Sequence, residues 1–335
     1  MELDMAEHTC EEPESRVAES LVVVVPCHDE QSTVPKFLKA CALKVEAPLQ
    51  AMGVVPTYLF VDDGSNDGTL QVLRDVAGAR KDVAYLSFSR NFGKEAAMYA
   101  GLKAASSFGP DYAAIMDCDL QDPPELLPDM VARIRRGSCD RVSARRVSRT
   151  GEPPIRSWFA RRFYALMKHV VDFELVDGAR DFSVMTPRFV SAVLSCGEYN
   201  RFTKGLFGWV GFSTEWVAYP NVERVAGETS WSFWALMHYA LDGIVAYTVR
   251  PLEVLAGFGA VTSLIATCAL VFVVVRALLF GDPVAGWPSL MTVVILTGGL
   301  LMLALGIIGF YLSKIYLEVK RRPLYVVAEA HGVDA

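Results

Sequence analysis

Two long stretches without charge near the carboxyl terminus constrain this chain more than any other feature. The 22 residues between Glu253 and Arg276, and the 31 residues between Asp282 and Lys314, contain no Asp, Glu, Lys or Arg. A bilayer core about 30 Å thick needs roughly 20 apolar residues at about 1.5 Å per residue, so each stretch is long enough to span a membrane. We therefore predict a hairpin of two transmembrane helices within residues 252–317.

The rest of the sequence is typical of a reduced, intracellular globular part. The net charge is −6, whereas a nucleic-acid-binding protein normally carries a basic domain, so we expect no nucleic-acid partner. The seven cysteines include no CxxC pair, which argues against a zinc knuckle or a disulfide framework. Residues 1–19 are acidic and polar and lack the apolar core of a signal peptide. We expect a disordered tail there.

Basic residues set the expected orientation in the membrane. Lys320, Arg321 and Arg322 follow the second uncharged stretch, and basic residues flanking a span favour the cytoplasmic side. Because no signal peptide precedes the N-terminal part, that part should also stay inside the cell. The sequence thus predicts a multi-pass protein of the inner (plasma) membrane, with its globular domain and both termini in the cytoplasm.

The first 140 residues alternate short apolar runs with segments of helical periodicity. Apolar runs typical of buried strands lie at Leu21–Pro26, Tyr58–Val61, Val83–Phe88 and Tyr112–Met116. Helical periodicity lies between them, at Val34–Leu43, Thr69–Val76 and Lys94–Ala105. This βαβ alternation predicts an α/β fold with a mostly parallel sheet and flanking helices, which binds ligands beyond the carboxyl ends of its strands.

Two amphipathic segments precede the uncharged stretches. Residues 155–172 place phenylalanines on one helical face with arginines around it, which suits a helix at the surface of an anionic membrane. An ordinary amphipathic helix on a soluble core is the alternative. Residues 231–251 are rich in aromatic side chains, as juxtamembrane helices are.

The sequence thus predicts five parts: a tail (1–19), a cytoplasmic domain (20–230), an interfacial helix (231–251), transmembrane helices (about 254–277 and 289–313 within 252–317) and a cytoplasmic tail (318–335).

Acidic turns follow two of the predicted strands. Asp62 and Asp63 open the turn DDGSNDG, where carboxylates can bind a base or a ribose, although a plain Asp-Gly turn is the alternative. Asp117 and Asp119 follow the fourth strand. Two carboxylates so spaced can hold one Mg²⁺ or Mn²⁺ that takes its other ligands from substrate phosphates and water. Asp122, ahead of two prolines, is expected to cap the next helix.

Four motifs occur in a fixed order in the first 125 residues: VVVVPCHDE, VDDGSNDGT, SRNFGKEAAMYAGL and DCDLQDPPE. Together with GARDFSVM, NRFTKGLFGWVGF and ERVAGETSWSF, they make the chain resemble the family 2 inverting glycosyltransferases of the GT-A type. Within that family it is similar to the polyprenyl-phosphate enzymes, such as bactoprenol glucosyltransferases and dolichyl-phosphate mannose synthases. The resemblance covers nearly the whole chain from about residue 20.

The resemblance implies roles for individual residues. Those expected to bind the nucleotide are Pro26, Glu30, Asp62, Asp63, Ser65, Gly93, Lys94 and Asp117. Those expected to hold Mg²⁺ or Mn²⁺ are Asp117, Asp119 and Gln121. Those expected to bind phosphate or the acceptor are Arg146, Arg156, Arg201 and Arg224. Those expected to be catalytic are Asp181 and Asp119.

Asp181 has two possible roles and a structural alternative. A phosphate monoester acceptor is already anionic at about pH 7, so Asp181 can orient the acceptor or the metal ligands rather than remove a proton. The alternative is a structural aspartate paired with Arg180 or Arg201. The sequence departs from its relatives at three places. His28-Asp29 stands where Tyr-Asn is usual, Ser183 stands where arginine is usual, and Ser230 stands where some relatives have lysine.

The resemblance also implies an activity: transfer of glucose from UDP-glucose to polyprenyl (undecaprenyl) phosphate at the cytoplasmic membrane face, for cell-envelope glycan modification. Mannose, galactose or N-acetylhexosamine is the alternative sugar. From another class, the chain could be a catalytically silent partner of a flippase or a lipid-modifying enzyme. A processive polysaccharide synthase would need more spans and a QxxRW motif, which the sequence lacks. The family favours a homotetramer.

Overall fold

The computed structural model describes residues 18–147, 176, 178–220, 248–280 and 286–333. Several sequence predictions lie outside these residues: most of the tail at 1–19, the amphipathic helix at 155–172, most of the interfacial helix at 231–251, Arg156 and Arg224. The remaining predicted site residues are all described.

The described elements follow the predicted alternation. The first half of the chain comprises β1 (Glu19–Cys27), α1 (Val34–Cys41), a π-helical turn (Ala42–Glu46), α2 (Ala47–Ala51), β2 (Val54–Asp62), α3 (Thr69–Ala79), β3 (Val83–Phe88), α4 (Lys94–Ser107), β4 (Tyr112–Ile115), α5 (Leu126–Ile134) and β5 (Arg141–Arg146). The second half comprises β6 (Ala179–Met185), α6 (Pro187–Ser195), α7 (Thr203–Trp209), β7 (Thr214–Tyr219), α8 (Arg250–Phe280), α9 (Trp287–Val319) and β8 (Val327–His331).

The described strands form one sheet in the order β7-β5-β6-β4-β1-β2-β3-β8. Strands β4, β1, β2 and β3 are parallel neighbours, and β5 is parallel to β7. Strand β6 lies antiparallel between β4 and β5, and β8 lies antiparallel along β3. The predicted mostly parallel α/β class is therefore confirmed.

Strand β1 lies at the centre of the sheet because its side chains are apolar on both faces. Leu21 to Val25 are all buried, as expected for a parallel strand with helices on both sides. Helix α4 packs closely against this strand at Gly101, where a Cβ would lie 2.2 Å from Cγ1 of Val24. A glycine is needed at that point for the helix to approach the sheet.

The carboxyl-terminal segment departs from the prediction. Residues 318–335 were expected to form a tail, but Val327–His331 form β8, which pairs with β3. Tyr325, just before β8, stacks on Phe88 with ring centroids 5.0 Å apart. The sequence analysis missed this strand because its partner lies more than 200 residues earlier, and no local pattern reveals such a pairing.

Helices α8 and α9 contain the two predicted spans, 254–277 and 289–313, and extend beyond them. Arg250–Ala269 and Leu296–Val319 are long and apolar enough to cross a membrane, and their described side chains are not buried in the protein. Helix α9 is tied to the residues just before α8, because the Tyr311 hydroxyl donates a hydrogen bond to the Thr248 carbonyl at 2.9 Å. Length and composition thus agree with the predicted hairpin.

Candidate active site at the carboxyl ends of the strands

The loops after β1 and β2 lie side by side and are joined by hydrogen bonds. The backbone N–H of Asp29 donates to Oγ of Ser65 at 2.9 Å, and that of Glu30 donates to Oγ1 of Thr69 at 2.8 Å. Pro26 lies at the end of β1, opposite β2. The structure therefore brings together the residues predicted to bind the nucleoside, at the sheet edge where α/β proteins bind ligands.

Asp62, at the end of β2, is buried and has partners on both carboxylate oxygens. Oδ1 accepts a hydrogen bond from the backbone N–H of Ser65 at 3.1 Å, and Oδ2 accepts one from the Ser87 hydroxyl at 2.7 Å. Only 1% of the residue is exposed. Its carboxylate thus holds the turn after β2 against strand β3.

Asp63 plays a similar part for the loop after β3. Its carboxylate accepts hydrogen bonds from the backbone N–H groups of Phe92, at 2.6 Å, and Gly93, at 2.9 Å. Burial raises the pKa of Asp63, and these two hydrogen bonds oppose the rise. Gly64 has a φ of +62°, and a Cβ there would lie 2.2 Å from the carbonyl carbon of Arg90, so this close approach of the two loops requires glycine.

Lys94, the first residue of α4, joins two carboxylates from different strands. Its Nζ lies 2.7 Å from Oδ1 of Asp117, in the loop after β4, and 2.7 Å from Oδ2 of Asp181, on β6. Burial opposes ionisation of Asp181, but the charges of Lys94 and Lys204 outweigh it and hold its pKa well below the usual range. The ion-pair partner of Asp181 is thus Lys94, rather than the arginines considered from the sequence.

Arg180 extends this charged cluster. Its Nε donates a hydrogen bond to Oδ1 of Asp122 at 2.8 Å, and its Nη2 donates to Oε1 of Gln121 at 3.4 Å and lies 3.9 Å from Asp117. The Tyr219 hydroxyl donates to the same Asp122 oxygen. The sequence-based prediction that Asp122 caps α5 is therefore wrong. Its buried carboxylate accepts hydrogen bonds from these two side chains instead.

Asp119 and Asp117 suit a hard divalent cation. Burial raises the pKa of Asp119, and the negative charge of Asp117 adds to the rise, although the Gln121 backbone N–H donates to Asp119 at 3.0 Å. A cation beside the two carboxylates would relieve their repulsion, and Mg²⁺ or Mn²⁺ prefers such oxygen ligands. Among the described residues no three His, Cys, Asp or Glu side chains gather around one metal position. The substrate would have to supply the remaining ligands.

Two of the four arginines predicted to bind phosphate are described, and they lie in different places. Arg146 ends β5, and its backbone N–H donates to the Gly178 carbonyl at 2.9 Å. Arg201 lies against α4, with its guanidinium carbon 4.5 Å from the Tyr99 ring centre and a hydrogen bond to the Cys196 carbonyl. These contacts of Arg201 are structural, and they do not involve the carboxylate cluster formed by Asp117, Asp119, Asp122 and Asp181.

Three further cations were not predicted as site residues. Arg141, Arg180 and Lys204 line a cavity of about 150 Å³ under α7, on the side of Asp181. Arg180 directly precedes Asp181, and Lys204 lies in the NRFTKGLFGWVGF motif, so both had a sequence signal. Arg141 had none, because a basic residue beginning a strand normally reaches solvent.

Comparison with known proteins identifies close relatives of the chain. The glycosyl transferase family 2 profile matches residues 22–193. A Synechocystis protein described as an uncharacterized glycosyltransferase is 35% identical over 94% of this chain and 96% of its own length. The SfII prophage-derived bactoprenol glucosyl transferase of Shigella flexneri is 34% identical over 92% of this chain and 97% of its own. A prophage bactoprenol glucosyl transferase homolog of Escherichia coli is 33% identical over 91% and 97%.

Solved structures are more distant. A mannosyltransferase from Pyrobaculum calidifontis, in complex with GDP-Man and Mn²⁺, is 16% identical, with a TM-score of 0.42 over 82% of this chain and 85% of that chain. A similarity this weak does not indicate which ligand the present chain binds.

Proposed function

The chain belongs to glycosyl transferase family 2, and from this premise we propose that it transfers glucose from UDP-glucose to the phosphate of a polyprenyl (undecaprenyl) carrier. Relatives named bactoprenol glucosyl transferases, which align over 97% of their own length, support this acceptor and this sugar. The observation that carries the proposal is the charged cluster of Asp117, Lys94 and Asp181 in a chain with two membrane-length apolar helices. The cluster suits phosphate chemistry, and the helices suit a lipid substrate.

The donor would bind at the loops after β1, β2 and β3. Pro26, Glu30 and Ser65 would contact the nucleoside, while Asp62 and Asp63, which are buried, would keep these loops together. Gly93 and Lys94, at the start of α4, would lie beside the donor phosphates, where a helix N-terminus and an ammonium group both favour negative charge.

Asp117 and Asp119, with Gln121 beside them, would hold a divalent cation. That cation would supply positive charge to the leaving diphosphate. Asp181 is kept ionised by Lys94 and would orient the acceptor, because a phosphate monoester is anionic at about pH 7 and needs no strong base.

The reaction would be a single displacement. An oxygen of the acceptor phosphate attacks C1 of glucose and forms the new C1–O bond. The C1–O bond to the diphosphate breaks, and its electron pair leaves with UDP. One displacement inverts the anomeric centre, so an α-linked donor gives a β-linked lipid product.

The position of β8 supports the proposed membrane topology. Helix α8 follows the domain in sequence, α9 returns, and β8 then pairs with β3 of the same domain. If both helices span the membrane, the domain and the carboxyl terminus must lie on one side of it. Lys320, Arg321 and Arg322 at the end of α9 favour the cytoplasmic side, as proposed from the sequence.

The test is a transfer assay with purified full-length protein in lipid. Undecaprenyl phosphate, Mg²⁺ or Mn²⁺, and a panel of UDP- and GDP-sugars are supplied, and radiolabelled sugar is followed into the lipid extract. We expect transfer from UDP-glucose only when metal is present, and a β-linked product by NMR.

Other results would change the proposal in specific ways. Transfer from a mannose, galactose or N-acetylhexosamine donor would keep the reaction and change the sugar. No transfer by folded protein would favour the silent-partner alternative. Equal rates after metal removal by EDTA would reject the proposed cation. The tetramer expected from the family stays a prediction, which mass photometry in detergent can check.

A further inference from the structure

The cavity under α7 combines positive charge with an apolar wall. Its charged members are Arg141, Arg180 and Lys204. Its apolar members include Phe207, Phe212 and Trp216. A pocket with fixed cations beside aromatic surface is suited to an anion that is attached to an apolar group.

Arg141 is the most unusual residue of the cavity. It is 5% exposed, and its Nε has no hydrogen-bond partner among the described residues. Its guanidinium carbon lies 4.8 Å from the Phe207 ring centre and 5.4 Å from that of Trp216. Burial lowers the pKa of Arg141 to about 9, and the charge of Asp181 opposes this only in part. A buried cation without a bound anion is costly, because the interior replaces water without supplying a counter-charge.

The nearby carboxylates are already engaged by other cations. Asp181 has an ion pair with Lys94, and Asp122 has one with Arg180. Within the described residues, the guanidinium of Arg141 therefore lacks a carboxylate of its own. An incoming anion would supply the missing negative charge and hydrogen-bond acceptors.

The cavity is coupled to the carboxylate cluster through two side chains. Arg180 lines the cavity and also contacts Asp122 and Gln121. Lys204 lines the cavity and acts electrostatically on Asp181. An anion held there would lie beside the proposed reaction centre.

We propose that this cavity binds the phosphate monoester of an isoprenoid acceptor, with Arg141 and Lys204 contacting the phosphate and the aromatic wall contacting the first isoprene units. This assignment rests on the proposed function and adds an acceptor site to it. At about 150 Å³ the cavity has room for a phosphate group. The aromatic wall favours a lipid phosphate over a free one.

The test compares Arg141→Met and Lys204→Met with wild-type full-length protein in detergent. Methionine keeps much of the apolar volume and removes the charge. We expect the KM for undecaprenyl phosphate to rise about tenfold or more in each variant, because a charge-assisted contact to phosphate is lost, while the KM for the sugar donor stays unchanged. Lys103→Met is the matched control. Lys103 is an exposed residue of α4 that does not line the cavity, and its variant should behave as wild type.

A binding measurement without donor separates the two proposals. Farnesyl phosphate should raise the melting temperature of wild type and of the control but not of the two methionine variants, whereas farnesol and sodium phosphate should have little effect. If wild type transfers no sugar yet shows this pattern, the proposed function fails and the site stands. If Arg141→Met does not fold, Lys204→Met decides.

Three results would overturn the assignment. The first is an unchanged acceptor KM in the methionine variants. The second is an equal rise in the KM values for donor and acceptor, which indicates a general structural effect. The third is stabilisation by sodium phosphate equal to that by farnesyl phosphate, which indicates a site for free phosphate.

Discussion

Two acidic turns at the same edge of the sheet have different kinds of partner. After β2, Asp62 and Asp63 accept hydrogen bonds from hydroxyl and backbone N–H groups. After β4, Asp117 faces the ammonium of Lys94 and, at 3.9 Å, the guanidinium of Arg180. In sequence the two turns look alike, since each places two carboxylates just after an apolar strand.

The difference separates a scaffold from a reactive site. Neutral donors built into the backbone hold Asp63, which is 4% exposed, in one position. The side chain of Lys94 is 44% exposed and flexible, so an incoming cation or phosphate can displace it or share its partners. Substitutions in the first turn should therefore act mainly on stability, and those in the second mainly on activity.

The largest effect is expected for Asp119→Ala in the second turn. Removing one of the two proposed metal-binding carboxylates should lower kcat/KM by about 100- to 1,000-fold or more, with little change in melting temperature, because the desolvated Asp119 adds little to stability. Asp75→Ala, on the exposed face of α3, serves as the control. Substantial activity of Asp119→Ala at saturating Mg²⁺ or Mn²⁺ would contradict the metal assignment.

In the first turn, Asp63→Ala should mainly reduce stability. It leaves the N–H groups of Phe92 and Gly93 without their acceptor, at a cost of about 2 kcal/mol in the free energy of unfolding. Asp63→Asn keeps one acceptor oxygen and should lose less. Thermal melting of the three proteins gives the order, and an Asp63→Ala protein that melts like wild type would remove the distinction between the turns.

Lys94→Met examines the link between the second turn and β6. Without the ammonium, Asp117 and Asp181 lose their shared partner, and stability should fall by about 1–2 kcal/mol, a modest loss because Lys94 is half exposed. Millimolar Mn²⁺ should then raise the melting temperature of the variant more than that of wild type. An equal response to Mn²⁺ would show that the cation does not take over the role of the lysine.

Glu329→Gln, outside both turns, measures what an exposed ion pair contributes in this protein. Hydrogen bonds from Arg74 and Tyr85 lower the pKa of Glu329 to about 2. Because the pKa is depressed on folding, the stabilisation is present at neutral pH and is lost as the pH falls from about 4.5 towards 2. We expect a loss of at most about 1 kcal/mol at about pH 7 that shrinks by about pH 3.5. If the difference in melting temperature between wild type and Glu329→Gln grows on acidification, the stabilising role assigned to the Glu329 carboxylate is contradicted.

Much of the fold could be predicted because its signals are local. The run Val83–Phe88 forms β3 with the predicted bounds, and α3 begins at Thr69 as predicted. The predicted spans, 254–277 and 289–313, lie within α8 and α9. The acidic turns were placed correctly at strand ends, since an apolar run followed by Asp and Gly indicates both the strand and its end.

The chemistry of the site depended on contacts that the sequence does not signal. Asp181 meets Lys94, 87 residues away, because β6 runs antiparallel between β4 and β5. The acidic turns were indistinguishable in sequence until their partners were known.

The sequence by itself thus determined which segments are buried strands, which can enter a membrane and where the chain turns, because burial and backbone geometry depend on neighbouring residues. Only the tertiary structure decided that β8 pairs with β3, that Lys94 joins Asp117 to Asp181, and that Arg141 lines a cavity with no carboxylate partner among the described residues. Strand order brings such distant residues together, and the energy of a charge depends on the partners it then meets.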